Sequence, residues 1–343
     1  MGPEAFDYEL PAAQIAQAPA ERRGDARMLV LRGANPPQHA RARDLPEHLP
    51  EGALVVVNES RVVPARVFLA RGDGRTFELL VCDPRPGAGP GHTFRAWVRG
   101  ARRLAAGDRL GLGDFTCRLV GADPVDPRAR LFEVEAGELM PTLEGAGQVP
   151  LPPYIARDGA PGAADRDRYQ TLYARAPGSV AAPTAGLHWE PEVLARLDRV
   201  ALTLHVGPGT FLPMEAADVR DHRVGAERIA VDEAAAARIT GARREGRPVV
   251  AIGTTVTRAL ESIAARFGEI VPFEGTTDLV ITPGHPFRAV DLLVTNFHLP
   301  RSSLLMLVAS FGGHARVMTA YREAVAAGYR FYSYGDCMVV DRA

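Results

Sequence analysis

Residues 291–311 read Asp291-Leu-Leu-Val-Thr-Asn-Phe-His-Leu-Pro-Arg-Ser-Ser-Leu-Leu-Met-Leu-Val-Ala-Ser-Phe311, an apolar run broken by polar residues in one place. The pattern predicts a buried strand ending near Asn296 and His298, followed by an apolar helix that Ser302 or Ser303 caps. The same grammar recurs. Leu54-Val-Val-Val-Asn58 reads as a strand, and Ala201-Leu-Thr-Leu-His-Val206 as a strand running into a Gly/Pro loop. Pro248-Val-Val-Ala-Ile-Gly253 leads into a helix from Thr254 to about Phe267, which Gly268 terminates. Asp278-Leu-Val-Ile-Thr282 reads as one more strand, stopped by Pro283-Gly284, and residues 316–327 have helical spacing before Gly328. Apolar strands separated by helices predict an α/β fold with a mostly parallel, doubly covered sheet.

Residues 65–138 keep a different rhythm. Short half-alternating runs, among them Thr76-Phe-Glu-Leu-Leu-Val81 and Phe115-Thr-Cys-Arg-Leu-Val120, are separated by Gly/Pro punctuation. This predicts a small antiparallel β-barrel. The expected organisation is a discontinuous α/β domain, residues 1–64 and 150–343, with an inserted barrel domain over 65–149.

A chain of 343 residues with 46% hydrophobic and 24% charged positions can build such a core. No apolar stretch approaches the ~20 residues that cross a bilayer, and no secretory signal is visible, so a cytoplasmic enzyme with no membrane partner is expected. Cys82, Cys117 and Cys337 form no C-x-x-C pair, and the nine histidines include no H-E-x-x-H, so no metal site is expected. All 40 basic residues are arginine, which removes Schiff-base and P-loop lysine chemistry. With a net charge of −1, a nucleic acid would be held by a local arginine patch. Arg41 and Arg43, Arg99 with Arg102 and Arg103, and Arg243 with Arg244 and Arg247 are the candidates.

Candidate chemistry gathers at predicted strand ends, which in a parallel sheet share one edge. Thr184 and His188 stand in the turn-rich segment 180–189. His205 and Thr210 flank Gly207 and Gly209, two glycines that let backbone amides approach a ligand. Gly253, Thr254 and Thr255 open a helix toward Arg258, where the helix dipole favours a carboxylate or phosphate. Each segment alone also fits a structural loop or cap; their shared edge makes one multi-strand site the economical reading. The loop is not G-x-G-x-x-G, so a dinucleotide site is not supported. Tyr154, Tyr169 and Tyr173 suit base stacking or core packing.

Taken in order, Asn58-Glu-Ser-Arg-Val-Val-Pro-Ala-Arg66, Pro150-Leu-Pro-Pro-Tyr-Ile155, residues 177–188, Leu204-His-Val-Gly-Pro-Gly-Thr-Phe211, Gly253-Thr-Thr255, Thr295-Asn-Phe-His-Leu-Pro300 and Tyr329-Arg-Phe-Tyr-Ser-Tyr-Gly-Asp336 resemble the S-adenosylmethionine:tRNA ribosyltransferase-isomerases of queuosine biosynthesis. The resemblance implies transfer and isomerisation of the ribosyl unit of S-adenosylmethionine onto 7-aminomethyl-7-deazaguanine at the tRNA wobble position. The products are epoxyqueuosine, adenine and methionine. The donor is consumed, no cofactor or metal is needed, and a monomer is implied.

On that resemblance His188, His205 and His298 form the acid–base pool. Thr184, Gly207, Gly209, Thr210, Thr254, Thr255, Arg258 and Asn296 would hold the donor, with its methionine carboxylate at the helix start, and Asn58, Arg61 and Arg66 would orient donor or base. Glu59 and Ser60 stand where Asn or Asp and Thr are common, and Gly225 replaces a histidine frequent in relatives. His222 and Glu227 are therefore secondary candidates, as is Asp336. The alternatives are another S-adenosylmethionine-dependent RNA transferase, such as a methyltransferase, and a non-catalytic RNA-binding protein.

Overall fold

The structure is a computed structural model, and it describes residues 1–343 except 160, 212, 213 and 215 and the side chains of Thr210 and Phe211. Nine strands form the large sheet in the spatial order Phe273–Thr277, Glu227–Val231, Arg199–Leu204, Leu54–Asn58, Val249–Ile252, Leu292–Asn296, Cys337–Asp341, Arg27–Leu31 and Gln38–Arg41. The sheet is mixed, not mostly parallel: among the described residues four of its eight pairings are parallel and four antiparallel.

The departure has a physical reason. Two consecutive helices, Ser303–Gly312 and His314–Ala326, follow strand Leu292–Asn296, and an even number of helical passes returns the chain to the edge it left. The next strand, Cys337–Asp341, must then run backward beside Leu292–Asn296. The four parallel strands Arg199–Leu204, Leu54–Asn58, Val249–Ile252 and Leu292–Asn296 are consecutive in space, so their C-terminal ends do share one edge.

Strands Leu54–Asn58, Val249–Ile252 and Leu292–Asn296 are buried along their whole length. Their side chains alternate between two cores. Leu54, Val56, Val249, Ala251 and Leu293 pack toward helices Glu233–Arg244, Thr254–Phe267, Ser303–Gly312 and His314–Ala326. Val55, Val57, Val250, Ile252 and Val294 pack on the other side against Trp189, Leu194 and Leu45. The expected helix over residues 254–267 is present with Gly268 at φ 85°, and Ser302 caps the helix after Asn296 by accepting from Leu305 N at 3.2 Å.

Residues 278–282 are not a strand. The strand is Phe273–Thr277, and the polar backbone that follows is spent on side chains: Leu279 N donates to Thr277 Oγ1 at 3.1 Å, and Leu279 O accepts from Arg258 Nε at 2.9 Å.

A separate six-stranded antiparallel sheet runs Ala129–Ala136, Thr93–Val98, Thr76–Val81, Arg66–Arg71, Arg109–Leu112 and Phe115–Ala122, and its first and last strands also pair. It encloses its own core, in which Phe94 and Phe132 stack with ring centroids 5.5 Å apart. The chain enters this sheet at Arg66 and returns at Gln148, and the two backbones exchange hydrogen bonds of 3.2 and 2.8 Å.

Candidate functional site

At the shared strand edge, a cavity is lined by Thr184, Gly253–Thr255, Arg258, Asn296, His298 and the aromatic residues Tyr154, Tyr169 and Tyr332. A larger cleft opens beside it, and the two meet at Arg258 and Leu304. One wall of the cleft belongs to the six-stranded sheet, with Cys82, Trp97 and Arg128; the other carries His205, Gly207, Gly209 and His222. Among the described residues no group of His, Cys, Asp or Glu is placed to hold a metal, and no helix is long and apolar enough to cross a membrane.

The three histidines occupy different places. His298 lines the cavity and bonds through Nε2 to Thr295 Oγ1 at 2.9 Å; burial pulls its pKa down to about 3. His188 lies behind the cavity wall, where its Nε2 meets Asn296 Oδ1 at 3.1 Å; burial lowers it to about 4, against a smaller opposing effect of that hydrogen bond. His205 faces the cleft. Burial, then the Arg228 guanidinium, lowers its pKa to about 4, and its Nδ1 is buried without a hydrogen-bond partner. All three are neutral imidazoles at pH 7. Of the three, His205 is the one that lines the cleft, and its Nδ1 is a lone pair or proton uncommitted within the protein.

A sequence profile of the family described as queuosine biosynthesis protein matches residues 3–340. The chain is 49% identical over 343 residues to the S-adenosylmethionine:tRNA ribosyltransferase-isomerase of Anaeromyxobacter dehalogenans (strain 2CP-C), covering 98% of each chain. It belongs to this queuosine biosynthesis family. The corresponding protein of Moorella thermoacetica is 46% identical, with 98% of this chain and 99% of that one covered. The crystal structure of S-adenosylmethionine tRNA ribosyltransferase from Thermotoga maritima matches with a TM-score of 0.54 at 32% identity, over 98% of this chain and 99% of that one.

In this family member several of the residues singled out by sequence already have partners within the protein. Asn58 is wholly buried; its Oδ1 accepts from Ser60 N and Leu204 N at 3.1 and 3.0 Å, and its Nδ2 donates to Leu204 O at 2.9 Å. It pins two strand ends beside the cavity, and its Nδ2 also reaches Thr255 Oγ1 at 3.4 Å. Arg61 pairs with Glu144 at 3.0 Å and Arg66 with Glu78 at 2.7 Å, and neither lines the cavity or the cleft. Asp336 is also spent, accepting from Arg27 N and Arg330 N, each at 2.8 Å, and from Arg27 Nε at 3.2 Å.

Glu227 turns out central. Its Oε1 accepts from Gly207 N at 3.0 Å, and its Oε2 takes Nη1 of buried Arg258. Thr210 falls outside the described side chains.

The arginine patches divide. Arg243 and Arg244 end helix Glu233–Arg244, just before strand Val249–Ile252 begins, and so lie at the opposite edge of the sheet. There Arg244 pairs with Glu269 at 3.0 Å. Arg99, Arg102 and Arg103 sit on the six-stranded sheet away from both cavities. The cleft is instead bordered by Arg95, Arg128, Arg223 and Arg228, which no charge run in the sequence marks. Arg228 bonds Asp83 Oδ1 at 2.7 Å across the two sheets.

Proposed function

We propose that this chain transfers the ribosyl unit of S-adenosylmethionine to 7-aminomethyl-7-deazaguanine at the wobble position of tRNA and isomerises it, yielding epoxyqueuosine-tRNA, adenine and methionine. The observation that carries the reading is the end-to-end similarity to S-adenosylmethionine:tRNA ribosyltransferase-isomerases, 49% identity over 98% of the chain. The donor occupies the cavity at the shared strand edge and is consumed, without cofactor or metal. The tRNA anticodon lies in the larger cleft, with Arg95, Arg128 and Arg223 toward phosphates and with Trp97, which carries the Arg128 guanidinium over its ring, on the cleft wall. The inserted six-stranded sheet acts as a small barrel that supplies one wall of that cleft, and the enzyme works as a monomer in the cytoplasm.

Ribosyl transfer needs removal of an acidified proton beside the sulfonium, departure of adenine, and protection of reactive intermediates from water. His205 is the base: its neutral ring faces the cleft, and its Nδ1, buried beside Gly178 and Arg228, makes no hydrogen bond within the protein. His298, also neutral, lines the cavity wall and is held by Thr295, where it orients the donor. The aromatic residues Tyr154, Tyr169 and Tyr332 exclude water at the far end.

Incubation with S-adenosylmethionine and tRNA bearing 7-aminomethyl-7-deazaguanine, followed by mass spectrometry of small molecules and digested tRNA, tests the reading. Adenine, methionine and epoxyqueuosine are expected; S-adenosylhomocysteine with a methylated nucleoside would refute it.

A further inference from the structure

Helix Thr254–Phe267 starts at the cavity with Gly253 as its N-cap, a residue with no side chain to satisfy the opening amides. The helices beginning at Glu233 and Ser303 are capped by Asp232 and Ser302, whereas His314–Ala326 also starts at an uncapped glycine, Gly313, though away from this cavity. The opening turn therefore presents unpaired N–H groups and a positive dipole end to the cavity.

A second, independent feature converges there. Arg258 lies one turn further along, on the same face as Thr254, and helical side chains lean toward the N-terminus. Arg258 as a whole is 6% exposed. Nε donates to Leu279 O, Nη1 meets Glu227, and Nη2 is buried with no partner. An unpaired buried charged donor is costly unless a ligand completes it. Arg258 and Glu227 cancel in charge, so the helix end leaves this corner net positive.

We infer that Arg258, through Nη2, and the first amides of helix Thr254–Phe267 together bind the α-carboxylate of the sulfonium donor, with Glu227 as the positioning residue that aims Arg258. The inference rests on the donor reading above. Of the donor's groups the carboxylate alone is anionic, since the sulfonium and ammonium are cations and the ribose and adenine are neutral. Glu227 also accepts from Gly207 N, two residues beyond His205, so the ion pair that grips the carboxylate fixes the loop that follows the base. Donor anchoring and base placement thus share one carboxylate side chain.

The test is isothermal titration of the full-length protein with S-adenosylmethionine and with its decarboxylated analogue. The wild type is expected to prefer the carboxylated ligand by roughly 10- to 100-fold, the range for a charged hydrogen bond. Arg258→Gln should lose most of that preference, keeping only the part that the helix amides supply. Because that change leaves Glu227 buried and unpaired, Arg258→Lys is measured beside it; it keeps the charge without the fork and should retain part of the preference. Equal wild-type affinity for the two ligands, or variants that weaken both by one factor, would overturn the assignment. So would lost tRNA affinity with ligand preference intact, which would give the site to a phosphate. For Glu227, the Ala variant should lower kcat at saturating donor and Glu227→Gln, which still offers Gly207 an acceptor, should restore most of it; identical losses remove the positioning role. If the wild type binds neither ligand, the donor reading itself fails, whereas binding without preference sinks only the carboxylate site.

Discussion

Gly178→Ala tests the placement of His205. Gly178 has φ 141°, and a Cβ built there would stand 2.8 Å from both His205 Nδ1 and Arg228 Nη2. The backbone cannot slide away: neighbouring Ser179 bonds Ser60 Oγ at 2.8 Å and accepts from Val206 N at 2.9 Å, and Val180 N donates to Val206 O at 2.8 Å. Arg228 is tied to Asp83 at 2.7 Å and Pro84 O at 3.2 Å. The His205 ring, half-buried beside the cleft with no bond at Nδ1, is what yields. Reaching ordinary contact at 3.4 Å moves it by at least ~0.6 Å, which for a proton-transfer group costs on the order of 10- to 100-fold in turnover. The backbone angle adds about 1–3 kcal/mol of strain. Single-turnover adenine release at saturating donor, measured with thermal unfolding, should show both losses. In the double variant with His205→Ala, stability should partly recover, because the ring contact is gone, while turnover stays at the level of His205→Ala alone. Wild-type turnover in Gly178→Ala would refute the reasoning and remove His205 as the base.

The three buried histidines set a pH dependence. Unfolded imidazoles protonate below about 6.5, whereas His188 and His205 wait until about 4 and His298 until about 3 in the fold, so their contribution is full above pH 6.5 and is lost as pH falls toward those values. The thermal midpoint should drop over that window and His298→Gln should flatten the drop; an unchanged slope would show that burial does not hold that ring neutral. On the tRNA side, Arg223→Ala should weaken binding and lower the salt slope by about one, while Arg243→Ala and Arg244→Ala leave affinity unchanged. The opposite pattern would place the tRNA on the far edge of the sheet.

The parallel centre of the large sheet was legible where burial made strands continuously apolar: Leu54–Asn58, Val249–Ile252 and Leu292–Asn296 lie where their sequences predict. The mixed direction was not, because it depends on counting helical passes between strands, and strands Arg27–Leu31, Gln38–Arg41, Glu227–Val231, Phe273–Thr277 and Cys337–Asp341 lie outside the predicted runs. Strand Arg109–Leu112 is short and has Gly111 inside it, so no alternation announces it. Residues 278–282 have strand composition, yet Leu279 serves Arg258 and Thr277; a tertiary demand outweighed local preference.

The site shows why chemistry-bearing residues are poor guides when read one at a time. Asn58, Arg61, Arg66 and Asp336 carry conspicuous functional groups, and each has a protein partner that only the fold supplies. Two glycines do the opposite. Gly253 withholds a cap, and Gly178 leaves the space in which His205 and Arg228 pack; their contribution is an absent side chain. What the sequence could reveal was the strand edge, because four apolar runs ending in Asn, His or Gly-Thr point to it together. Which groups remain without a partner there, His205 Nδ1, Arg258 Nη2 and the Tyr169 hydroxyl among them, follows from pairing the buried donors and acceptors around them, and that accounting exists only in three dimensions.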